Sequence, residues 1–212
     1  MIFSSIALVA FISTAVQAHF QLQYPIPRGP FVQDSEPTFC DGYTNAVDNR
    51  TVFPLSNGVI NMNSEHPLWS AGVIVSTYQN PINFSDFNSS SGYQLAVQFF
   101  QQSGEGDYCF PIDLATSNIA GVKDGANVTI QIVFDGGDGT LYQCADLTLS
   151  ANVTTPTGTT SDCTNVTSSS STATTTATSP SSTSSGSASK GVEVGSGVIA
   201  GVFSMLMLLS AV

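Results

Sequence analysis

Two histidines carry the most informative chemistry in this chain. The sequence contains only His19 and His66. Residues 1–18 have the form of a secretory signal peptide, with an apolar core followed by small residues, Val16 and Ala18, at the −3 and −1 positions of a cleavage site. Cleavage after Ala18 would make His19 the first residue of the mature chain, with a free α-amine beside its imidazole ring.

A histidine at a free N-terminus offers a metal two nitrogen ligands from one residue. The amine and Nδ1, the ring nitrogen nearer the backbone, close a six-membered chelate, and His66 would supply a third nitrogen. Copper(II) binds such ligands most strongly among the common divalent ions and favours square or T-shaped geometry. We therefore predict one copper(II) per domain. The site requires the cleaved N-terminus, because any residue before His19 turns the amine into an amide.

The charge balance excludes nucleic acid as a partner and fits an extracellular protein. The formal charge is −11, and only four of 212 residues are Lys or Arg. No basic patch exists to hold phosphates, whereas an acidic surface suits cations. Residues 19–163 have the length of a single folded domain, which we expect to be monomeric.

The C-terminal part predicts a stalk and a membrane anchor. Residues 164–196 are rich in Ser and Thr, and residues 197–212 are apolar and uncharged. The apolar run is shorter than the roughly 20 residues of a comfortable transmembrane helix. Small residues at 185–187, a polar spacer and a terminal apolar tail form a GPI-anchor signal, with attachment at Ser185 or Gly186. The alternative is an ordinary tail-anchored helix. We expect the domain on the outer face of the cell membrane or in the cell wall.

Cysteines and glycosylation sequons agree with secretion. Four cysteines predict two disulfides, with three connectivities open. Six Asn-x-Ser/Thr sequons indicate a glycosylated surface. The sequon asparagines are Asn49, Asn83, Asn88, Asn127, Asn152 and Asn165.

Short alternating segments predict the fold that positions these residues. Alternation is clearest over 93–100, 127–134 and 141–149, and Phe20 and Leu22 alternate with glutamines in a proline-rich segment that suits an edge strand. Glycine-rich turns separate the strands, and no amphipathic helix stands out. The predicted class is all-β, an antiparallel β-sandwich with long loops.

Three motifs resemble a known family. They are HFQLQYPIPRGP directly after the signal peptide, NSEHPLWSAG around His66, and GDGTLYQCADL at 137–147. The chain resembles the fungal lytic polysaccharide monooxygenase-like copper proteins, a family that includes GPI-anchored copper acquisition factors. The resemblance implies an immunoglobulin-like sandwich, a histidine brace made by His19 and His66, and an aspartate that completes the site. It also implies the disulfides Cys40–Cys144 and Cys109–Cys163.

Three aspartates are candidates for the completing ligand. Asp138 precedes the strand that carries Cys144, and a carboxylate at a glycine-rich strand start can turn toward a surface metal. Asp135 lies at the other end of the same turn, and Asp146 lies on the face of the strand that bears Cys144. We favour Asp138. Each of the three also has a plain structural interpretation as a turn-forming side chain bonded to nearby backbone.

The expected function is copper handling at the cell surface, without catalysis. An aspartate ligand stabilises copper(II) and occupies the position where oxygen would bind, so it disfavours oxidative turnover. The partners expected are the copper ion and either a copper transporter or a wall polysaccharide. One alternative is a copper-dependent polysaccharide monooxygenase, although Trp69 is the only tryptophan available for a sugar-binding face. The other is a structural, glycosylated wall protein in which both histidines are incidental.

Overall fold

The computed structural model describes residues 19–165 as an all-β domain. Three short 3₁₀ segments, Gln33–Ser35, Phe39–Gly42 and Phe84–Phe87, punctuate the loops. The strands are β1 (Phe20–Tyr24), β2 (Thr51–Pro54), β3 (Gly58–Ser64), β4 (Leu68–Ser76), β5 (Asn88–Ser89), β6 (Gly92–Tyr93), β7 (Leu95–Ser103), β8 (Gly106–Ile112), β9 (Asn127–Asp135), β10 (Thr140–Ser150) and β11 (Thr164–Asn165).

Two sheets form the sandwich, and a small β5–β6 hairpin lies beside them. One sheet has the strand order β1-β3-β8-β11 and the other β2-β10-β9-β4-β7. Most neighbours are antiparallel, which confirms the predicted class. The pairs β2–β10 and β8–β11 are parallel, at the sheet edges. Alternation within one strand does not report the direction of its partner, so these two pairs could not be predicted.

The core lies between the two sheets and is built by alternating side chains. On β9, residues Val128, Ile130, Ile132 and Phe134 are all fully buried. Phe134 stacks on Phe20 at 4.8 Å and on Trp69 at 5.4 Å between ring centroids. Trp69 is 1 % exposed, and its indole N–H donates to the Gly104 carbonyl at 3.1 Å. The only tryptophan is therefore a core residue and does not form part of a surface platform.

Two disulfides close long loops. Cys40–Cys144 joins the second 3₁₀ segment to β10, and Cys109–Cys163 joins β8 to the segment before β11. These are the pairings that the family resemblance implies. Crosslinks across 104 and 54 residues restrict the unfolded chain, an effect typically worth about 2–4 kcal/mol each.

Several sequence-based predictions concern residues outside 19–165 or the surface of the domain. The signal peptide, most of the stalk, the GPI site and the apolar tail fall outside residues 19–165. Within those residues, no helix has the length and apolar character that a membrane crossing demands. Five of the sequon asparagines are exposed and Asn127 is half-buried, so none is buried; their glycosylation stays a prediction.

Candidate metal centre

The N-terminal strand is fixed at the edge of its sheet by side chains from the opposite sheet. Phe20 pairs with Ser64 on β3 and is fully buried. Gln143 on β10 donates to the Phe20 carbonyl at 2.8 Å and accepts from the Leu22 N–H at 2.8 Å. A buried glutamine that satisfies one donor and one acceptor of β1 holds the strand in one register. The strand therefore presents His19 at a defined point.

His66 reaches the same point from the turn between β3 and β4. The N–H of Glu65 donates to the His19 carbonyl at 2.8 Å, which extends the β1–β3 ladder to the residue next to His66. The His66 ring is 3 % exposed and packs on Phe134 at 5.3 Å between centroids. Phe134 thus forms a floor beneath both Phe20 and His66.

The turn between β9 and β10 closes over the His66 ring. A Cβ atom added at Gly136 would lie 2.1 Å from two atoms of that ring, so the turn can approach His66 this closely only with glycine at this position. Two residues later, Oδ1 of Asp138 lies 3.8 Å from Nε2 of His66, with the carboxylate side chain 42 % exposed. The turn therefore carries an accessible carboxylate to the histidine.

The other two candidate aspartates have structural partners. Oδ1 of Asp135 accepts from the Gly137 N–H at 2.8 Å within the turn. Asp146 is buried and ion-paired to Arg28. Of the three aspartates, Asp138 is the one with a histidine nitrogen within 4 Å.

A fourth acidic residue, Glu36, was missed by the sequence analysis. Its Oε2 lies 2.5 Å from Nδ1 of His19, and its Oε1 accepts from the Phe20 N–H at 3.2 Å. The Glu36 carbonyl accepts from the Tyr142 N–H at 2.8 Å, which ties this loop to β10. Nothing in the local sequence marks Glu36, because its contact with His19 arises only when the loop folds back along β10.

Glu36 is an unusual carboxyl group because it is fully buried. Burial raises its pKa from 4.5 to about 7, although its hydrogen bonds with His19 and the Phe20 N–H lower it. His19 itself is 9 % exposed, and Phe31 packs edge-on against its ring at 5.8 Å. The first residue of the expected mature chain is therefore held by a buried acid on one side and an aromatic ring on the other.

Two imidazole nitrogens in this region have no partner. Nε2 of His19 and Nε2 of His66 are buried, and neither has a hydrogen bond in the described part of the chain. Buried imidazole nitrogens without partners suit a transition-metal ligand. Among residues 19–165, however, no three side chains of the His, Cys, Asp and Glu types are arranged to hold a metal ion. The structure brings Asp138 to His66, while the His19 ring is turned to Glu36.

Comparisons with known proteins give the family. The family model for the copper acquisition factor BIM1-like domain matches residues 17–168. Two relatives named copper acquisition factor BIM1 come from Cryptococcus neoformans. The protein of var. grubii is 43 % identical over 164 residues, which is 76 % of this chain and 72 % of the relative. The protein of var. neoformans is 42 % identical over 158 residues, or 73 % and 71 % of the two chains.

A more distant relative is an uncharacterized protein of Aspergillus fumigatus. It is 32 % identical over 173 residues, which cover 79 % of this chain and 66 % of the relative. The family match spans the whole described domain, including both histidines, Glu36 and Asp138. The chain therefore belongs to the copper acquisition factor BIM1-like family.

Proposed function

We propose that this chain binds copper(II) at the cell surface and acquires it for the cell. The ion is cargo, and the mature N-terminus is the binding device. His19 supplies its α-amine and Nδ1, His66 supplies Nε2, and Asp138 supplies an oxygen. The copper assignment is supported by family membership, since relatives that match most of the chain are named copper acquisition factors.

The observation that carries the ligand assignment is the joining of β1 to the β3–β4 turn. The Glu65-to-His19 backbone hydrogen bond of 2.8 Å places the residue before His66 directly against His19. Nε2 of His66 is unpartnered and lies 3.8 Å from Oδ1 of Asp138, so these two residues would add a nitrogen and an oxygen. Cleavage after Ala18 would add the amine. Three nitrogens and one carboxylate oxygen make a donor set that copper(II) prefers among divalent ions.

The ligand set favours capture over oxidation. A carboxylate adds negative charge next to the metal, which stabilises copper(II) relative to copper(I). An acquisition role also agrees with the signal peptide and GPI anchor that the sequence predicts, since both would place the domain outside the cell on the membrane or wall. A wall polymer or a membrane copper transporter would then be the neighbour that delivers or receives the ion.

The test is a copper(II) titration of residues 19–165 with an authentic N-terminus. We expect tight one-to-one binding that a single extra residue before His19 weakens by orders of magnitude, because that residue removes the amine from the chelate. His66→Ala should have a comparable effect. A matched control is the same extension on the His66→Ala protein, where little further loss should follow. Equal, weak binding by the native and extended proteins would overturn the brace.

A further inference from the structure

The hydrogen bond between His19 and Glu36 uses the nitrogen that the proposed chelate needs. An α-amine and an imidazole of the same residue chelate through Nδ1. In this structure Nδ1 lies 2.5 Å from Oε2 of Glu36, a distance at the short end of hydrogen bonding. A ligand nitrogen must present its lone pair to the metal, so Nδ1 cannot serve Glu36 as a donor and copper as a ligand at once.

Glu36 is held in place independently of the His19 ring. Its second carboxylate oxygen accepts from the Phe20 N–H, and its carbonyl accepts from the Tyr142 N–H on β10. Its side chain is fully buried. The His19 side chain, in contrast, is at the start of its strand, and the ring leaves Nε2 without a partner. When the contact breaks, the imidazole is therefore the group that turns.

We propose that Glu36 is a positioning residue which holds the His19 ring through Nδ1 until copper arrives, and that copper binds by replacing Glu36 at this nitrogen. The inference rests on the proposed function. The exchange needs no change of net charge on the ring: the Nδ1 proton leaves, Nε2 gains one, and the imidazole stays neutral. Glu36 keeps the hydrogen bond from the Phe20 N–H throughout.

The competition between Glu36 and copper for Nδ1 determines how firmly the His19 ring is held before copper binds and how fast copper binds. A ring held by a buried carboxylate samples the metal-binding orientation only part of the time. The apparent affinity for copper is then lower than the intrinsic affinity by the fraction of molecules with the ring released. Weakening the Glu36 contact without changing the charge of the site should therefore speed copper binding.

The decisive experiment labels one nitrogen of each histidine. The chain has two histidines, so growth on histidine carrying ¹⁵N at Nδ1 labels two known atoms. Electron–nuclear double resonance on the copper(II) protein separates directly bound nitrogens from remote ring nitrogens by their coupling. We expect one strongly coupled ¹⁵N, from His19, and one weakly coupled ¹⁵N, from His66, which binds through Nε2.

The same labelled protein, prepared without copper, reports on the His19–Glu36 contact. Its nitrogen–proton spectrum should contain one imidazole Nδ1–H signal that exchanges slowly with water, from the His19–Glu36 contact. No strongly coupled ¹⁵N in the copper form would overturn the proposal, because His19 would then bind through Nε2 and keep Glu36. Absence of the protected Nδ1–H signal from the copper-free protein would also overturn it. If the wild-type protein bound no stoichiometric copper, the proposed function itself would fail.

Glu36→Asp separates geometry from charge. The shorter side chain keeps the carboxylate but cannot span both His19 and the Phe20 N–H. We expect loss of the protected Nδ1–H signal and copper association about tenfold faster, the factor expected for one lost hydrogen bond to a charged group. Glu65→Asp is the matched control, because Glu65 is exposed and adjacent to His66, and it should leave both readouts unchanged. Slower association by a folded Glu36→Asp protein would overturn the exchange. The labelling experiment uses the wild-type chain and does not depend on either variant folding.

Discussion

Two buried pairs of a carboxylate and a nitrogen base lie along strand β10, and they differ in how fully they are satisfied. Asp146 accepts from Nε and Nη2 of Arg28 at 3.0 and 2.9 Å, from the Thr129 hydroxyl at 2.6 Å and from the Val47 N–H at 3.0 Å. Nη1 of Arg28 donates to the carbonyls of Tyr43 and Pro81 at 3.1 and 3.2 Å. Both carboxylate oxygens of Asp146 and all three guanidinium nitrogens of Arg28 therefore have hydrogen-bond partners.

The His19–Glu36 pair is equally buried but incomplete. Glu36 accepts two hydrogen bonds, from the His19 ring and the Phe20 N–H, and Nε2 of His19 has no partner within the described residues. The Arg28–Asp146 pair gains nothing from a new ligand because its hydrogen bonds are all made, whereas the His19 ring is held by one hydrogen bond at Nδ1, which a metal can replace. We infer that the Arg28–Asp146 pair holds the loops around β10 in place. The His19–Glu36 pair instead holds the N-terminal histidine by a contact that copper can replace.

The largest effect should follow from breaking the saturated pair. Asp146→Asn removes the charge that Arg28 faces and leaves a buried guanidinium without its counter-ion. Breaking a buried ion pair in this way costs about 3–5 kcal/mol of unfolding free energy. The measurement is guanidinium unfolding of residues 19–165 with both disulfides intact.

The same variant also tests the separation of the two pairs. Copper affinity of the folded Asp146→Asn protein should match the wild type, because the proposed ligands lie at the other end of the β9–β10 hairpin. Glu36→Gln should cost less stability than Asp146→Asn, since Glu36 satisfies fewer donors. A larger loss of unfolding free energy in Glu36→Gln than in Asp146→Asn would contradict this contrast between the two pairs.

The next effect is a pH dependence of the unfolding free energy that arises from Glu36. Burial raises the pKa of Glu36 to about 7 from 4.5, so the folded protein binds this proton more tightly than the unfolded chain does. Between pH values of about 4.5 and 7 the folded state then holds more protons, and raising the pH lowers the unfolding free energy. A shift of this size corresponds to about 3 kcal/mol, fully lost above the folded pKa.

The pH effect is isolated by subtraction. The unfolding free energies of the copper-free wild type and Glu36→Gln are measured at several pH values in this window. Their difference should change by up to about 3 kcal/mol, with the wild type losing stability as pH rises. A flat difference would mean that Glu36 stays ionised in the folded protein throughout.

Sequence patterns predicted those parts of the molecule that depend on local periodicity. Alternation identified β9 and β10 closely, and the prolines after β1 limited it to an edge strand. The histidines were identified by their scarcity and by the predicted cleavage site. The disulfide pairing followed from the family resemblance, since four cysteines alone allow three pairings.

The two buried pairs were invisible in the sequence because their partners are distant. Arg28 and Asp146 are 118 residues apart, and His19 and Glu36 are 17 residues apart across an irregular loop. No periodicity connects such positions, so Asp146 stood as a candidate metal ligand and Glu36 attracted no notice. Only the three-dimensional fold shows that one carboxylate is already saturated and that the other faces the N-terminal histidine.

The smallest predicted effect is on copper affinity and concerns the two aspartates of the β9–β10 turn. Asp135 accepts a backbone hydrogen bond in this turn, whereas Asp138 faces His66. Asp138→Asn removes an accessible negative charge 3.8 Å from Nε2 of His66. Loss of one carboxylate charge beside a bound cation, near the surface, weakens binding by about 1–3 kcal/mol, or roughly 5–150-fold. Competition titration of copper(II) measures this loss.

Asp135→Asn is the matched control for Asp138→Asn, because it makes the same chemical change three residues away. Asparagine keeps the oxygen that accepts from the Gly137 N–H, so the turn should retain its shape. Copper affinity should therefore stay within about threefold of the wild type, a change of less than 1 kcal/mol. If both variants weakened binding equally, the general negative charge of the turn would attract the ion and Asp138 would not be a ligand. A loss confined to Asp138→Asn would instead show that the ion requires the one turn carboxylate left without a backbone partner.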